Sequence, residues 1–233
     1  MSASLFSLLA DRAAAGLHTR VVAFGSSNTE RRLPGMHWLD VFELAYKATH
    51  GRVFTCINTG RGGDTAGQLL ERMERDCLDY RPNVALVTVG GNDANPERGI
   101  APETYAARLT EIVRRLQAAG CVPVLQTYYA ADRAKLPPAF AENLERNMEL
   151  VRTVACRTGA YLVDHLKRWE VLRQRYYPVF SALLVDPLHL NEAGNLLLGF
   201  DVAGAFGLQV PDHPHLREAR ATHALLNTLC AAS

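Results

Sequence analysis

Small hydroxyl and amide residues follow an apolar run near the amino end of the chain. The run from Val21 to Phe24 is rich in β-branched and aromatic residues, which favours a buried strand, and a Gly-Ser-Ser-Asn-Thr segment follows at 25–29. Parallel sheets carry their chemistry at the carboxyl ends of their strands. A serine of this segment, Ser26 or Ser27, is therefore a candidate nucleophile, although glycine and serine also form ordinary turns.

An aspartate and a histidine near the carboxyl end supply a candidate base. Asp186 lies three residues before His189, so its carboxylate can face the imidazole, fix its tautomer and stabilise its protonated form. Pro187 stiffens the turn between them. The alternative is a solvated aspartate and histidine on a loop.

Acyl transfer from a serine also needs hydrogen-bond donors for the oxygen that becomes negative. Two further turns rich in glycine, at 58–65 and 90–93, follow apolar runs. Candidate donors are the backbone N–H groups of Ser27 and Gly63 and the side-chain amide of Asn92, with the missing Cβ of Gly63 allowing close approach to a substrate. Each glycine turn could equally be a tight loop.

Alternating strand and helix patterns predict the elements that position these residues. Five such alternations predict an α/β domain with a mostly parallel sheet covered on both faces by helices. We expect a single domain over 1–233, with a helix capped by Asn191 near its end and a loop and a surface or dimer-facing helix in the tail at 211–233. The segment 164–185 is expected to be helical, with an irregular second half. The predicted strands are Thr19 to Phe24, Val53 to Ile57, Val84 to Val89, Val122 to Gln126 and Ala160 to Val163.

Composition argues against several function classes. With 25 Lys and Arg against 24 Asp and Glu, the chain of 233 residues carries a formal charge of +1 and shows no basic patch for nucleic acid. The apolar stretch from Leu5 to Ala10 has no basic flank, and no run is long enough to span a membrane. Five cysteines without Cys-x-x-Cys spacing favour reduced thiols and a cytoplasmic protein, not a zinc site.

Together, four segments resemble the blocks of the SGNH hydrolases, also called the GDSL esterase/lipase family. The matching segments are Phe-Gly-Ser-Ser-Asn-Thr at 24–29, Asn-x-Gly-x-x-Gly-Asp-Thr at 58–65, Gly-x-Asn-Asp at 90–93 and Asp-x-x-His at 186–189. The resemblance runs from about Arg20 to Phe206. It implies a three-layer α/β/α, flavodoxin-like fold with five parallel strands.

The same resemblance implies residue roles and no metal or other cofactor. Ser27 would be the nucleophile, His189 the base, Asp186 its orienting acid, and Ser27, Gly63 and Asn92 the oxyanion-hole donors. One position departs from the family, whose first block usually reads Gly-Asp-Ser, because Ser26 stands where that aspartate is expected. The aspartate is a supporting residue that hydrogen-bonds neighbouring block loops, so the change concerns the rigidity of the loops more than the mechanism.

We therefore expect a serine esterase or lipase that hydrolyses carboxylic esters, or thioesters, of short-chain acyl or acetyl groups. Selectivity would come from loop residues, for which we select Arg61, Asn95, Tyr128 and Tyr129, although surface, helix-approach and packing roles explain them equally well. Two other readings stay open: an O-acyltransferase that uses the same triad, and a non-catalytic carbohydrate-binding module. The sequence leaves the oligomeric state open, with a homodimer among the options, and gives a small-molecule ester as the partner.

Overall fold

The computed structural model describes residues 5–232. The predicted domain also includes residues 1–4 and 233, which lie outside the described residues, as do the first four residues of the predicted opening helix. Contacts divide the chain into two compact units. The serine unit comprises Arg20–Arg31 and Ile57–Leu166, and the histidine unit comprises the described parts of Met1–Thr19, Arg32–Cys56 and Lys167–Ser233. That the chain is one domain stays a prediction.

A five-stranded parallel sheet runs through the described residues in the order β2-β1-β3-β4-β5. This is the flavodoxin-like strand order, and together with the flanking helices it confirms the predicted α/β fold. Val22 pairs with Ala85, and Leu86 pairs with Val124, so β3 lies between β1 and β4. The strands are β1 Thr19–Gly25, β2 Phe54–Asn58, β3 Val84–Thr88, β4 Val122–Gln126 and β5 Tyr161–Val163.

The helices occupy most of the chain between and after these strands. Within residues 5–232, no helix has the length and the hydropathy needed to cross a membrane. The helices are α1 Leu5–Ala14, α2 Trp38–His50, α3 Ala66–Asp76, α4 Pro102–Ala118, α5 Pro138–Thr158, α6 His165–Arg175, α7 Tyr177–Ser181, α8 Glu192–Ala205 and α9 Arg217–Ala231.

Side-chain caps fix where two of these helices begin. Thr65 precedes α3 and forms a capping box with Gln68, which satisfies N–H groups that a helix start leaves without partners. Asn191 accepts a hydrogen bond from the Gly194 N–H at 3.0 Å, which confirms the predicted cap of α8. In the serine unit, α4 packs against both α3 and α5.

The segment 164–190 differs from the prediction. Instead of continuing helical to Val185, the chain leaves α7 at Ser181 and forms a short strand, β6 Leu184–Asp186, which pairs antiparallel with β7 His189–Leu190. Only two residues separate these strands, so the ribbon has no periodicity long enough to be read from sequence. This ribbon carries the predicted Asp-x-x-His motif.

Candidate active site

The chain turns sharply after β1 and places two serines in different environments. The Ser26 carbonyl oxygen accepts hydrogen bonds from the N–H groups of Thr29 and Glu30, at 3.0 and 2.9 Å, so a single helical turn follows the strand. Ser26 itself is fully buried, whereas Ser27 is partly exposed. Of the two serines, Ser27 is therefore the one that solvent contacts.

The loop after β2 is hydrogen-bonded to this turn. The Asn58 side-chain amide donates to the Thr29 carbonyl oxygen at 2.7 Å, and the Arg61 N–H donates to the Gly25 carbonyl oxygen at 3.1 Å. These bonds fix the position of the predicted donor Gly63 relative to the serine turn.

The backbone conformation of Gly63 gives a reason for glycine that the sequence did not show. A Cβ on this residue would meet no protein atom within 4 Å, and the predicted close approach to a substrate stays a prediction. Its φ of +83° lies in the left-handed region, which residues with side chains rarely adopt. No hydrogen bond from the Gly63 N–H is found among the described residues. The role of this N–H group as an oxyanion donor stays a prediction.

Asn92 joins the loop after β3 to the loop after β2. Its Nδ2 donates one hydrogen to the Asp64 carbonyl oxygen at 2.9 Å. An amide nitrogen carries two hydrogens, so the second can donate to a developing oxyanion while the first fixes the orientation of the side chain. Ser27, Gly63 and Asn92 thus lie on three loops that hydrogen bonds connect within the serine unit.

Arg72, which the sequence reading did not select, holds two of these loops from within the unit. Its guanidinium is 5% exposed and donates to the Asp64 carboxylate at 2.6 Å, the Thr59 carbonyl at 2.7 Å and the Gly25 carbonyl at 2.9 Å. It also lies over the Phe24 ring, 4.7 Å from its centroid. The sequence feature that could have indicated this role is the position of Arg72 beside Met73, on the apolar face of a predicted helix.

Asp93 is a second buried carboxylate beside the predicted donors. It is 2% exposed, and both of its oxygens lie within 3.1 Å of the Ala66 N–H at the first turn of α3. Burial raises the pKa of the Asp93 carboxyl from 3.8 to about 6, although the Ala66 N–H favours the charged form. Asp93 therefore changes charge near pH 6. It is the last residue of the third block, and its bond to Ala66 links that block to the start of α3.

In the histidine unit, the antiparallel ribbon pairs Asp186 with His189. The imidazole Nδ1 lies 2.7 Å from Asp186 Oδ2 and 2.9 Å from Oδ1, and the Leu188 N–H donates to Oδ1 at 2.8 Å. Burial alone would raise the pKa of Asp186, but these hydrogen bonds hold it below its usual value. A charged carboxylate at Nδ1 selects the tautomer with its proton on Nδ1, so Nε2 is the nitrogen that can accept a proton.

The residues predicted to contact the substrate have different surroundings. Arg61 has a side chain that is 68% exposed, and Asn95 Oδ1 accepts from the Glu97 N–H at 3.0 Å, which caps a short 3-10 turn. Tyr128 and Tyr129 are buried, at 5% and 3% exposure. The two tyrosines line a small pocket with Leu144, Met148 and Leu166 among others. Their substrate roles stay predictions.

Acidic and thiol groups do not form a metal site in the part of the chain that the structure describes. Among residues 5–232, no group of three or more His, Cys, Asp or Glu side chains is arranged to hold a metal ion.

The sequence pattern of the GDSL-like lipase/acylhydrolase family matches residues 23–197. The chain belongs to this family. The match covers all four predicted blocks, and as a family member the chain is a carboxylic ester hydrolase. The predicted family and enzyme class are thereby confirmed.

Individual relatives are distant. The chain is 24% identical over 177 residues to an uncharacterized lipoprotein of Bacillus subtilis, covering 64% of this chain and 71% of that protein. It is 23% identical over 150 residues to an acetylxylan esterase of Geobacillus stearothermophilus, covering 61% and 67%. The crystal structure of a lipase/acylhydrolase from Enterococcus faecalis superposes with a TM-score of 0.70 at 23% identity, over 84% of this chain and all of that one. The structural similarity shows that the fold is shared. The expected cytoplasmic location stays a prediction.

Proposed function

We propose that this esterase works through an acyl-enzyme on Ser27, with His189 as general base and Asp186 as the group that orients it. The observation that carries the proposal is the bond between His189 Nδ1 and the Asp186 carboxylate, 2.7 Å long. An aspartate and a histidine that were each solvated separately, the alternative considered above, would not form this bond. The pairing orients the imidazole for proton transfer at Nε2.

The reaction follows from these roles. His189 takes the hydroxyl proton as Ser27 Oγ attacks the ester carbonyl carbon, and the carbonyl oxygen becomes negative. The N–H groups of Ser27 and Gly63 and the Asn92 amide bind that oxyanion. The protonated imidazole then gives its proton to the leaving alcohol, and a water activated by His189 hydrolyses the acyl-enzyme and restores Ser27.

Ser27 is preferred to Ser26 as nucleophile because of accessibility. Ser26 is fully buried, and its hydroxyl lies 3.1 Å from the Tyr128 hydroxyl. A buried hydroxyl cannot approach the carbonyl carbon of an ester in solution. Ser27, the next residue, is partly exposed at the carboxyl end of β1.

The substrate class we propose is an ester of acetate or another short acyl group with a polar alcohol such as a sugar. The name of one relative, acetylxylan esterase, supports an acetyl ester. The exposed guanidinium of Arg61, two residues before the predicted donor Gly63, supports a polar alcohol because it can donate hydrogen bonds to hydroxyl groups.

The proposal is tested by labelling with a small fluorophosphonate and by measuring intact mass. Wild type should gain one adduct and Ser27→Ala none, with hydrolysis of p-nitrophenyl acetate lost in parallel. Ser26→Ala is the matched control, since it removes the neighbouring hydroxyl and should still be labelled. Among p-nitrophenyl acetate, butyrate and octanoate, kcat/KM should be highest for acetate.

Three outcomes would count against the proposal. An adduct that persists in Ser27→Ala and disappears in Ser26→Ala would move the nucleophile to Ser26. A folded wild-type protein that is neither labelled nor active would favour a carbohydrate-binding module. Transfer of acetyl to an added sugar in preference to water, measured by mass spectrometry of the products, would favour an O-acyltransferase.

A further inference from the structure

The position at which this chain departs from the family pattern is bonded to a tyrosine side chain. Ser26 stands where the first block usually has an aspartate, and its hydroxyl is fully buried. Its Oγ lies 3.1 Å from the hydroxyl oxygen of Tyr128, which is 102 residues further along the chain. Through this contact the phenol connects the serine hydroxyl to a loop far away in the sequence.

The same phenol oxygen contacts the loop that carries Asn92. The Gly91 N–H donates to the Tyr128 hydroxyl at 3.2 Å. A Cβ at Gly91 would lie 2.6 Å from the Tyr128 ring, so the loop can approach the tyrosine only because this residue is glycine. One hydroxyl therefore joins the residue before the proposed nucleophile to the residue before a proposed oxyanion donor.

Tyr128 is itself firmly held. It follows β4 by two residues, its ring is 5% exposed, and its backbone N–H lies 3.1 Å from the Met148 sulfur. Burial raises the pKa of the Tyr128 phenol, so the group stays protonated and acts both as a donor and as an acceptor. A rigid and neutral hydroxyl is suited to fixing two backbone turns at a constant separation.

The next residue holds the other neighbour of Ser27. The Tyr129 hydroxyl donates to Asn28 Oδ1 at 3.1 Å. The residues on either side of Ser27 are thus bound by two consecutive tyrosines from the loop after β4. Of the two, Tyr128 also reaches the Asn92 loop, through the Gly91 N–H.

We propose that Tyr128 is a positioning residue that, with Ser26, replaces the supporting aspartate of the family and sets the distance between the Ser27 turn and the Gly91-Asn92 turn. This inference rests on the proposed function, because it assigns Tyr128 a role in aligning the proposed nucleophile with a proposed oxyanion donor. Tyr128 would touch no reacting atom and act through its two partners. Misalignment of the turns should slow the chemical step and leave substrate binding largely unchanged.

The direct test is Tyr128→Phe, which removes the hydroxyl and keeps the ring. We expect kcat on p-nitrophenyl acetate to fall by about 10-fold, with KM within about twofold, because a buried N–H loses its acceptor and the turns lose their link. The rate of fluorophosphonate labelling should fall by a similar factor. Both are measured at a temperature well below the Tm of every variant.

A matched control separates positioning from stability. Tyr105 is also fully buried in the serine unit, and its hydroxyl donates to the Val89 carbonyl at 2.9 Å without contacting the Ser27 turn. Tyr105→Phe should lower Tm while kcat stays within about twofold of wild type. If Tyr128→Phe and Tyr105→Phe lower kcat equally, or if neither does, the proposal is wrong.

Restoring the family residue supplies a rescue. In Ser26→Asp combined with Tyr128→Phe, the longer carboxylate extends towards the site of the lost hydroxyl and can accept from the Gly91 N–H. We expect kcat to return to within about threefold of wild type. If the double variant folds but is no more active than Tyr128→Phe, then Ser26 and Tyr128 together do not replace the aspartate.

A double-mutant cycle gives an answer even if the aspartate variant does not fold. Ser26→Ala should lower kcat in the wild-type background and change it little in the Tyr128→Phe background, because the bond between the two hydroxyls is then already absent. Additive effects would contradict the proposal. Failure of the proposed function would look different, since wild type itself would then be neither labelled by the fluorophosphonate nor active.

Discussion

The serine loops and the Asp186-His189 ribbon are built in opposite ways. Around Ser27 the connecting groups are buried and distant in sequence, as in the bond from Ser26 to Tyr128 across 102 positions. In the ribbon, Asp186 and His189 are three residues apart and their side chains are 44% and 26% exposed. One region depends on the fold around it, and the other on a short turn.

This contrast separates stability from activity. Exposed ion pairs contribute little to stability, typically ~0–1 kcal/mol, whereas breaking a buried charged network costs several kcal/mol. We therefore expect substitutions in the ribbon to reduce the rate with little effect on folding, and substitutions beneath the serine loops to affect folding first.

The largest effect on activity should come from Asp186→Asn. The amide removes the charge that selects the His189 tautomer, so kcat should fall by roughly 10³-fold to 10⁴-fold. Tm should change by less than about 2 °C, because the pair is exposed. Steady-state kinetics and a thermal melt measure both. If Asp186→Asn unfolds, or if it keeps its kcat, the expectation that ribbon substitutions reduce the rate without affecting folding is wrong.

Asn92→Ala should lower kcat by roughly 100-fold to 1000-fold, because one of the proposed oxyanion donors is lost. Asn143 provides a matched control, since its amide also donates to a backbone carbonyl, that of Ala94, at 3.2 Å. Asn143→Ala should have kcat within about threefold of wild type. Equal losses in the two variants would show that loop stability, not the oxyanion contact, explains the effect of Asn92.

Arg72→Met should have the largest effect on stability. It removes the guanidinium donor of the buried Asp64 carboxylate and of the Thr59 carbonyl, and one of two donors to the Gly25 carbonyl. We expect the free energy of unfolding to fall by about 3–5 kcal/mol. Arg75, three residues later on α3, has a side chain that is 72% exposed and pairs with Asp76. Arg75→Met should cost less than about 1 kcal/mol in the same urea titration. Similar costs would mean that burial does not distinguish the two arginines.

Asp93→Asn should give the smallest effect, and one that depends on pH. The folded state raises the Asp93 pKa from 3.8 to about 6, so it binds the proton more tightly than the unfolded state does. The free energy of unfolding is then highest below pH 3.8 and falls as pH rises through about 6, by up to about 3 kcal/mol. Asn stays neutral, so its variant should gain stability relative to wild type between pH 4 and 7.

Urea titrations at several pH values test this expectation, with the exposed Asp79→Asn as a surface control. A stability difference between Asp93→Asn and wild type that is the same at pH 4 and 7 would contradict it. The result bears on the serine loops because Asp93 joins the Asn92 loop to the start of α3.

Local patterns accounted for much of the fold. β4 begins and ends where predicted, and Asn191 caps α8 as expected, because strand periodicity and capping depend on residues close in sequence. The ribbon at 184–190 was not predicted, because its two strands are too short to show a periodic pattern of apolar residues. The reason given for Gly63 was also incomplete, because φ angles are not visible in a list of residue types.

By itself the sequence determined the chemical groups and their local arrangement. The Asp-x-x-His spacing places a carboxylate beside an imidazole, and the apolar run before Ser27 ends a strand at a hydroxyl. Only the tertiary structure decided that Ser26 is buried against Tyr128 and that Arg72 bonds to Asp64 and Gly25. Those contacts depend on strand order and on helix packing, which bring together residues that no short-range pattern relates.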